Sequence, residues 1–215
     1  MVEFGILGLY FLTLVILAIM GCHRYVMVWL YIKHKDKKAL PAPLPAVLPR
    51  VTVQLPIYNE MYVVDRLLAS VAALRYPKEL LEIQVLDDST DATTAIASRA
   101  VEHYRAQGFD IHYLHRSDRT GFKAGALDAG LERATGEFVL IFDADFIAPP
   151  EILEQTLGHF ADPGVGMVQA RWGHINRDYS LLTEVQSIML DGHFILEHGA
   201  RSLSLIHISE PTRRS

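Results

Sequence analysis

Apolar residues run without a single charge from Phe4 to Cys22, and the pattern changes character twice before the chain turns globular. A charge-free stretch of that length matches what a helix needs to cross the hydrocarbon core of a bilayer, so a transmembrane helix is expected over about 4–22. The opening Met1, Val2, Glu3 lacks the basic start of a signal peptide. Apolar character resumes after His23 and Arg24 and runs to Ile32, with Trp29 and Tyr31 of the type that sits at a membrane interface. Residues 1–32 therefore read as an anchor with an interfacial extension. The basic run Lys33 to Lys38 follows, and the positive-inside bias places it in the cytoplasm. Between Ala39 and Pro49 four prolines remove backbone donors and favour extended chain, so 33–49 reads as a basic, semi-rigid linker.

From Arg50 short apolar runs alternate with helix-compatible periodicity. Strands are expected at Val51 to Leu55, Ile83 to Asp87, Ile111 to Leu114, Phe138 to Phe142 and Val165 to Gln169. Helices are expected at Met61 to Leu74, Ala92 to Gln107, Ala124 to Ala134 and Glu151 to Phe160. That alternation predicts an α/β fold, a mostly parallel sheet with helices on both faces. Ligands of such sheets bind beyond the carboxyl ends of the strands, which is where the polar clusters fall.

Composition narrows the chemistry. Twenty basic residues against 25 acidic ones leave a formal charge of -5, which gives no cationic field for nucleic acid. The single cysteine, Cys22, cannot form an internal disulfide, and the ten histidines show no zinc-type Cys/His spacing.

Four motifs sit at predicted strand ends. Pro56-Ile57-Tyr58-Asn59-Glu60 follows the first strand, where proline stops pairing and Asn and Glu offer groups for a turn or a ligand. Asp87-Asp88-Ser89-Thr90-Asp91 ends the second strand, and taken alone it is a helix-capping cluster. Gly121-Phe122-Lys123-Ala124-Gly125 opens a helix with a lysine and close-approach glycines, a combination suited to phosphate but without P-loop spacing. Asp143-Ala144-Asp145 ends the fourth strand with two carboxylates, hard oxygen ligands of the kind that hold Mg2+ or Mn2+ together with phosphate oxygens. Two acidic clusters and one lysine at three strand ends describe a nucleotide-diphosphate and metal site better than three unrelated caps.

The series PIYNE, DDSTD, FKAGAL and DAD, in this order, resembles the family 2 glycosyltransferases with the GT-A (Rossmann-like) fold. Val168 to Asn176 (VQARWGHIN) and the segment SLLTEVQSIMLDGHFILEHGAR are particularly similar to plant cellulose-synthase-like mannan and glucan synthases and their bacterial relatives. The resemblance implies that Tyr58, Glu60, Asp87 and Asp88 line the nucleotide pocket and that Lys123 and Gly125 sit near the diphosphate and sugar. It implies that Asp143 and Asp145 hold the donor phosphates, Asp145 through a divalent Mg2+ or Mn2+. Gln169, Arg171 and Trp172 would lie by the donor sugar or the acceptor channel, the alternative being an ordinary edge strand.

The expected reaction is inverting, metal-dependent transfer of a hexose from GDP-mannose or UDP-glucose to a growing β-glycan. It would take place on the cytoplasmic face of a bacterial inner (plasma) membrane, with membrane lipid as a further partner. A lipid acceptor on the same fold, or a non-catalytic nucleotide-binding membrane protein, are the alternatives.

Two parts of the family pattern do not occur in the native-looking sequence: an acidic motif (Thr-Glu-Asp in many members) whose aspartate is the general base, and a later Gln-x-x-Arg-Trp. Glu184, Asp191 and Glu197 lie on a helical stretch and are not promoted to base. Leu203 to Arg213 (LSLIHISEPTR) resembles the direct translation of a transposase mosaic-end adapter, so 203–215 is expected to be non-native. The catalytic domain, 50–202, is then expected to be an amino-terminal part, inactive in transfer by itself.

Overall fold

The computed structural model describes residues 2–34, 43–170 and 173–191. They fall into two compact units, one holding 2–34 with 169–191 and the other holding 43–168. The adapter-like tail, and Arg171 and Trp172, lie outside the described residues.

In the first unit, α1 (Val2–His34) is one continuous helix of 33 residues. At 1.5 Å per residue it extends about 50 Å, more than a hydrocarbon core of about 30 Å requires. It does not break after Cys22, because the apolar run resumes at once with helix-compatible residues. Phe4–Lys33 is long and apolar enough to cross a membrane, and its large side chains are mostly exposed. Lys33 places its ammonium 4.8 Å from the Trp29 ring centre, a cation-π contact one turn apart. A short 3-10 turn (Arg177–Tyr179) leads into α6 (Leu181–Asp191), capped by Ser180, whose hydroxyl accepts from the Thr183 amide at 3.2 Å.

The second unit is built on a four-stranded parallel sheet, β1 (Val51–Ile57), β2 (Leu81–Asp87), β3 (Asp110–His115) and β4 (Phe138–Ile141), in the order β3-β2-β1-β4. Tyr76 fixes the entry to β1: its hydroxyl donates to the Pro49 carbonyl at 2.5 Å, and burial pushes the phenol up to about 12. Strand register aligns Ile57, Asp87 and His115, so three carboxyl ends stop at one level. The order reverses between β1 and β4, which makes their shared carboxyl end the switch point where such sheets open a crevice.

The two faces of the sheet differ in chemistry. Val53, Leu55, Ile83 and Val85 join one apolar cluster with Leu67, Leu68 and Val71 of α2 (Val64–Ala72) and Ala97 and Val101 of α3 (Thr93–Ala106). Ile152 and Leu153 of α5 (Ile152–Thr156) extend that cluster. The alternate residues, Thr52, Gln54, Glu82 and Gln84, are buried as well, on the side covered by α4 (Phe122–Leu131). They satisfy one another, since Thr52 donates to Glu82 at 2.7 Å and Gln54 to Gln84 at 3.0 Å. Gly130 allows this packing: a β-carbon there would stand 2.6 Å from Gln54 Nε2 and 2.9 Å from Gln84 Oε1.

Two expectations need correction. Residues 165–169 pair with no strand among the described residues, and the reason is local: Gly164 and Gly166 bracket Val165, and glycine inside a short run weakens a strand. The helix expected over Glu151 to Phe160 is α5 for one turn and then a 3-10 helix (Leu157–Ala161), with Gly158 in its path.

Candidate active site

β1 keeps its register with β2 through Pro56 and Ile57, so the proline does not end the strand at Leu55 as expected, and the chain then turns sharply at Asn59, whose φ of 53° is left-handed, a region asparagine enters more readily than most residues. The Asn59 amide donates to Ser89 Oγ at 2.9 Å, and the Thr90 amide donates to Asn59 Oδ1 at 2.9 Å, so the motifs after β1 and β2 are tied together. Asp87 is fully buried: it accepts from the Ser89 amide at 2.8 Å and from the Tyr113 hydroxyl at 2.5 Å. Burial and the Asp87 carboxylate push the Tyr113 phenol well above its ordinary range. Asp88 receives both arms of Arg116, at 2.8 and 2.6 Å, a bidentate pair that satisfies the carboxylate.

Arg116 also donates to the Phe122 carbonyl at 3.1 Å and the Thr120 carbonyl at 3.4 Å, which anchors the loop before α4 on the end of β2. That loop turns through Gly121 (φ 75°) and Phe122 (φ 50°), two left-handed residues in succession. Gly125 is required behind it, because a β-carbon there would stand 2.2 Å from the Thr120 carbonyl oxygen. Gly125→Ala is therefore expected to displace the loop and cost about 1–3 kcal/mol, read as a lower midpoint in urea unfolding. An unchanged midpoint would show that the loop yields freely.

These turns enclose a cleft of about 590 Å³ lined by Tyr58, Asn59, Glu60, Tyr62, Asp88, Arg119, Lys123, Asp143 and Asp145, with apolar backing from Ile57, Val63 and Ala144. It opens where β1 and β4 end side by side. Lys123 forms an ion pair with Asp143. Asp145 is exposed, and among the described residues no cation sits on its carboxylate. Burial raises the Glu60 pKa, and the negative charges of Asp145 and Asp143 raise it further against a smaller lowering by Lys123. Glu60, Asp143 and Asp145 thus share one electrostatic field.

Among the described residues no three His, Cys, Asp or Glu side chains gather into a complete metal cage. The donor set fits a hard cation that takes one or two carboxylates and completes its shell with water and phosphate oxygens.

Of the residues expected from sequence, the cleft brings together Tyr58, Glu60, Asp88, Lys123, Asp143 and Asp145. Asp87 and Gly125 stand behind its wall as supports. Gln169 is exposed and belongs to the other unit. Sequence reasoning missed Arg116 and Arg119, although Arg-x-x-Arg directly before the Gly121 turn was the available signal.

Residues 52–207 match the glycosyl transferase family 2. A probable glucomannan 4-beta-mannosyltransferase 7 of Oryza sativa subsp. japonica is 41% identical over 166 residues, covering 75% of this chain and 28% of that protein. Glucomannan 4-beta-mannosyltransferase 2 of Arabidopsis thaliana is 38% identical over 184 residues, covering 80% of this chain and 34% of that protein. The chain thus spans about a third of the length of these relatives. Among solved structures, a mannosyltransferase from Pyrobaculum calidifontis in complex with GDP-Man and Mn2+ superposes with a TM-score of 0.60 at 33% identity, over 76% of this chain and 47% of that one. With the parallel sheet, the acidic strand ends at its switch point and this match over most of its length, the chain belongs to glycosyl transferase family 2, in its GT-A fold and with cellulose-synthase-like mannosyltransferases as relatives.

Proposed function

We propose that the chain forms the donor side of a membrane-bound mannosyltransferase that takes mannose from GDP-mannose with Mn2+ or Mg2+ and, in the longer protein, adds it to a growing β-linked glycan. The observation that carries this reading is the gathering of Glu60, Asp143, Asp145 and Lys123 in one cleft at the β1/β4 switch point. The relatives named as glucomannan mannosyltransferases and the neighbour holding GDP-Man support mannose and guanine over glucose and uracil.

Asp145, with Asp143, would hold the metal, which when bound supplies positive charge to the departing diphosphate. Lys123 keeps Asp143 oriented and adds a second positive charge on the cleft wall. Tyr58 and Asn59 line the cleft beside them. Because GDP-mannose is α-linked and the product β-linked, transfer inverts the anomeric carbon, and the acceptor hydroxyl must lose a proton to a base not assigned among the described residues.

Radiolabelled GDP-mannose and UDP-glucose, offered to the longer enzyme with mannan oligosaccharides and manganese, test the reaction. Elongation with mannose is expected, and elongation with glucose alone would replace the donor. The anchor makes a separate prediction, since four lysines between Lys33 and Lys38 outweigh the nearly uncharged amino terminus. A reporter fused after Lys38 should be cytoplasmic, and an outward-facing reporter would reverse the topology.

A further inference from the structure

Lys123 and Arg119 are the cations among the described residues that line the cleft, and their situations differ. Lys123 is spent on Asp143. Arg119 lies over Tyr58, its guanidinium carbon 3.3 Å from the ring centre, and 5.2 Å from the ring centre of Phe122. Its Nε is buried without a hydrogen-bond partner among the described residues. A buried donor left unpaired is costly, and this one is kept in place. Arg116 ties down the carbonyls of Thr120 and Phe122, Asp118 accepts the Thr120 amide at 3.0 Å, and the Phe122 amide donates to the Arg119 carbonyl at 2.9 Å.

A guanidinium held over an aromatic ring by cation-π attraction can still offer its N-H donors to a phosphate oxyanion. We infer that Arg119 is a donor-binding residue whose N-H edge takes a phosphate oxygen of the nucleoside diphosphate, with Tyr58 and Phe122 as the platform that aims it. This rests on the nucleoside-diphosphate reading of the cleft and adds to it the residue that recognises the diphosphate directly, apart from the metal. Arg119 also differs in kind from Arg116, whose donors are already taken by Asp88 and by two carbonyls.

The test is calorimetric titration of the full 215-residue chain in detergent with guanosine, GMP and GDP in the presence of Mn2+, for the unaltered protein, Arg119→Gln and Arg119→Lys. Loss of a charge-assisted contact should weaken GDP by about 10- to 100-fold in Arg119→Gln. Guanosine affinity should stay unchanged, and Arg119→Lys should recover part of the GDP affinity. Arg119→Lys also keeps the positive charge over Tyr58, so it reports on the contact if Arg119→Gln folds poorly. Equal GDP affinity in the unaltered protein and both variants would overturn the inference and leave the nucleoside-diphosphate reading standing. An equal loss for guanosine and GDP would overturn it in favour of a structural role. Absence of GDP binding in the unaltered protein would remove both.

Discussion

Asp145→Asn is expected to reduce manganese-dependent transfer by the longer enzyme by about two orders of magnitude or more while leaving its fold intact. A bound metal contributes several kcal/mol of stabilisation to charge developing on a leaving group, and each 1.36 kcal/mol is a factor of ten in rate. Asparagine keeps the shape of the side chain but gives up the negative charge that would hold the cation. The fold should not notice, because the Asp145 side chain is exposed and its backbone carbonyl, which accepts from Arg66 at 3.3 Å, is retained. Lys123 and Asp143 also stay paired in the variant. Initial rates over a manganese titration, with circular dichroism as the control, measure the effect. Rates near those of the unaltered enzyme would remove Asp145 from the site.

The second large effect is on stability. Glu82 is buried beneath α4 and accepts hydrogen bonds from Thr52 Oγ1 at 2.7 Å, the Thr135 amide at 2.7 Å, Thr135 Oγ1 at 2.6 Å and Gln84 Nε2 at 3.0 Å. Glu82→Leu would leave those donors without an acceptor in a place water does not reach. A buried donor left unsatisfied costs about 1–3 kcal/mol, and several are orphaned together, against a total stability of about 5–15 kcal/mol for a domain. Urea unfolding should show a much lower midpoint or no cooperative transition. A loss below about 1 kcal/mol would mean that the polar face relaxes without Glu82.

The same carboxylate sets a pH dependence. Burial acts to raise its pKa, but the hydrogen bonds from Thr135, Thr52 and Gln84 outweigh burial and hold it below the usual carboxylate value. A carboxyl whose folded pKa lies below its unfolded value, about 4.3, contributes stability that is complete above that pH. The contribution is lost as pH falls through the folded value. The acid limb of unfolding should therefore be steeper in the unaltered protein than in Glu82→Gln.

This polar face was the least legible part of the fold. Val51-Thr52-Val53-Gln54-Leu55 alternates, and alternation ordinarily marks a strand with one wet face. Here both faces are covered, and the polar residues are buried because they bond to each other and to Thr135 rather than to water. Gly130 and Gly136 were the available hints. They are the positions where α4 and the turn into β4 come within contact of Gln54 and Thr52, and a glycine at a close approach looks in sequence like any other.

By contrast, the strand ends were plain to read, since an apolar run that stops at Asp87 or Asp143 leaves little freedom about where the sheet meets solvent. The register of parallel strands then does what no local pattern can, bringing residues more than eighty positions apart, Glu60 and Asp145, into one field. Arg119 escaped because its partners, Tyr58 and Phe122, are rings rather than carboxylates, so no charge pairing announces it. The run Val165 to Gln169 misled for the opposite reason. Its apolar side chains satisfy a strand pattern, but Gly166 inside the run and Gly164 before it weaken that pattern, and no strand forms there.

A nucleoside-diphosphate and metal site at the β1/β4 switch point is tested by calorimetric titration of the full chain with GDP and UDP, each with and without Mn2+. GDP should bind measurably with manganese, at least tenfold more weakly without it, and more tightly than UDP. Undetectable binding of both nucleotides, or affinity indifferent to manganese, would contradict it.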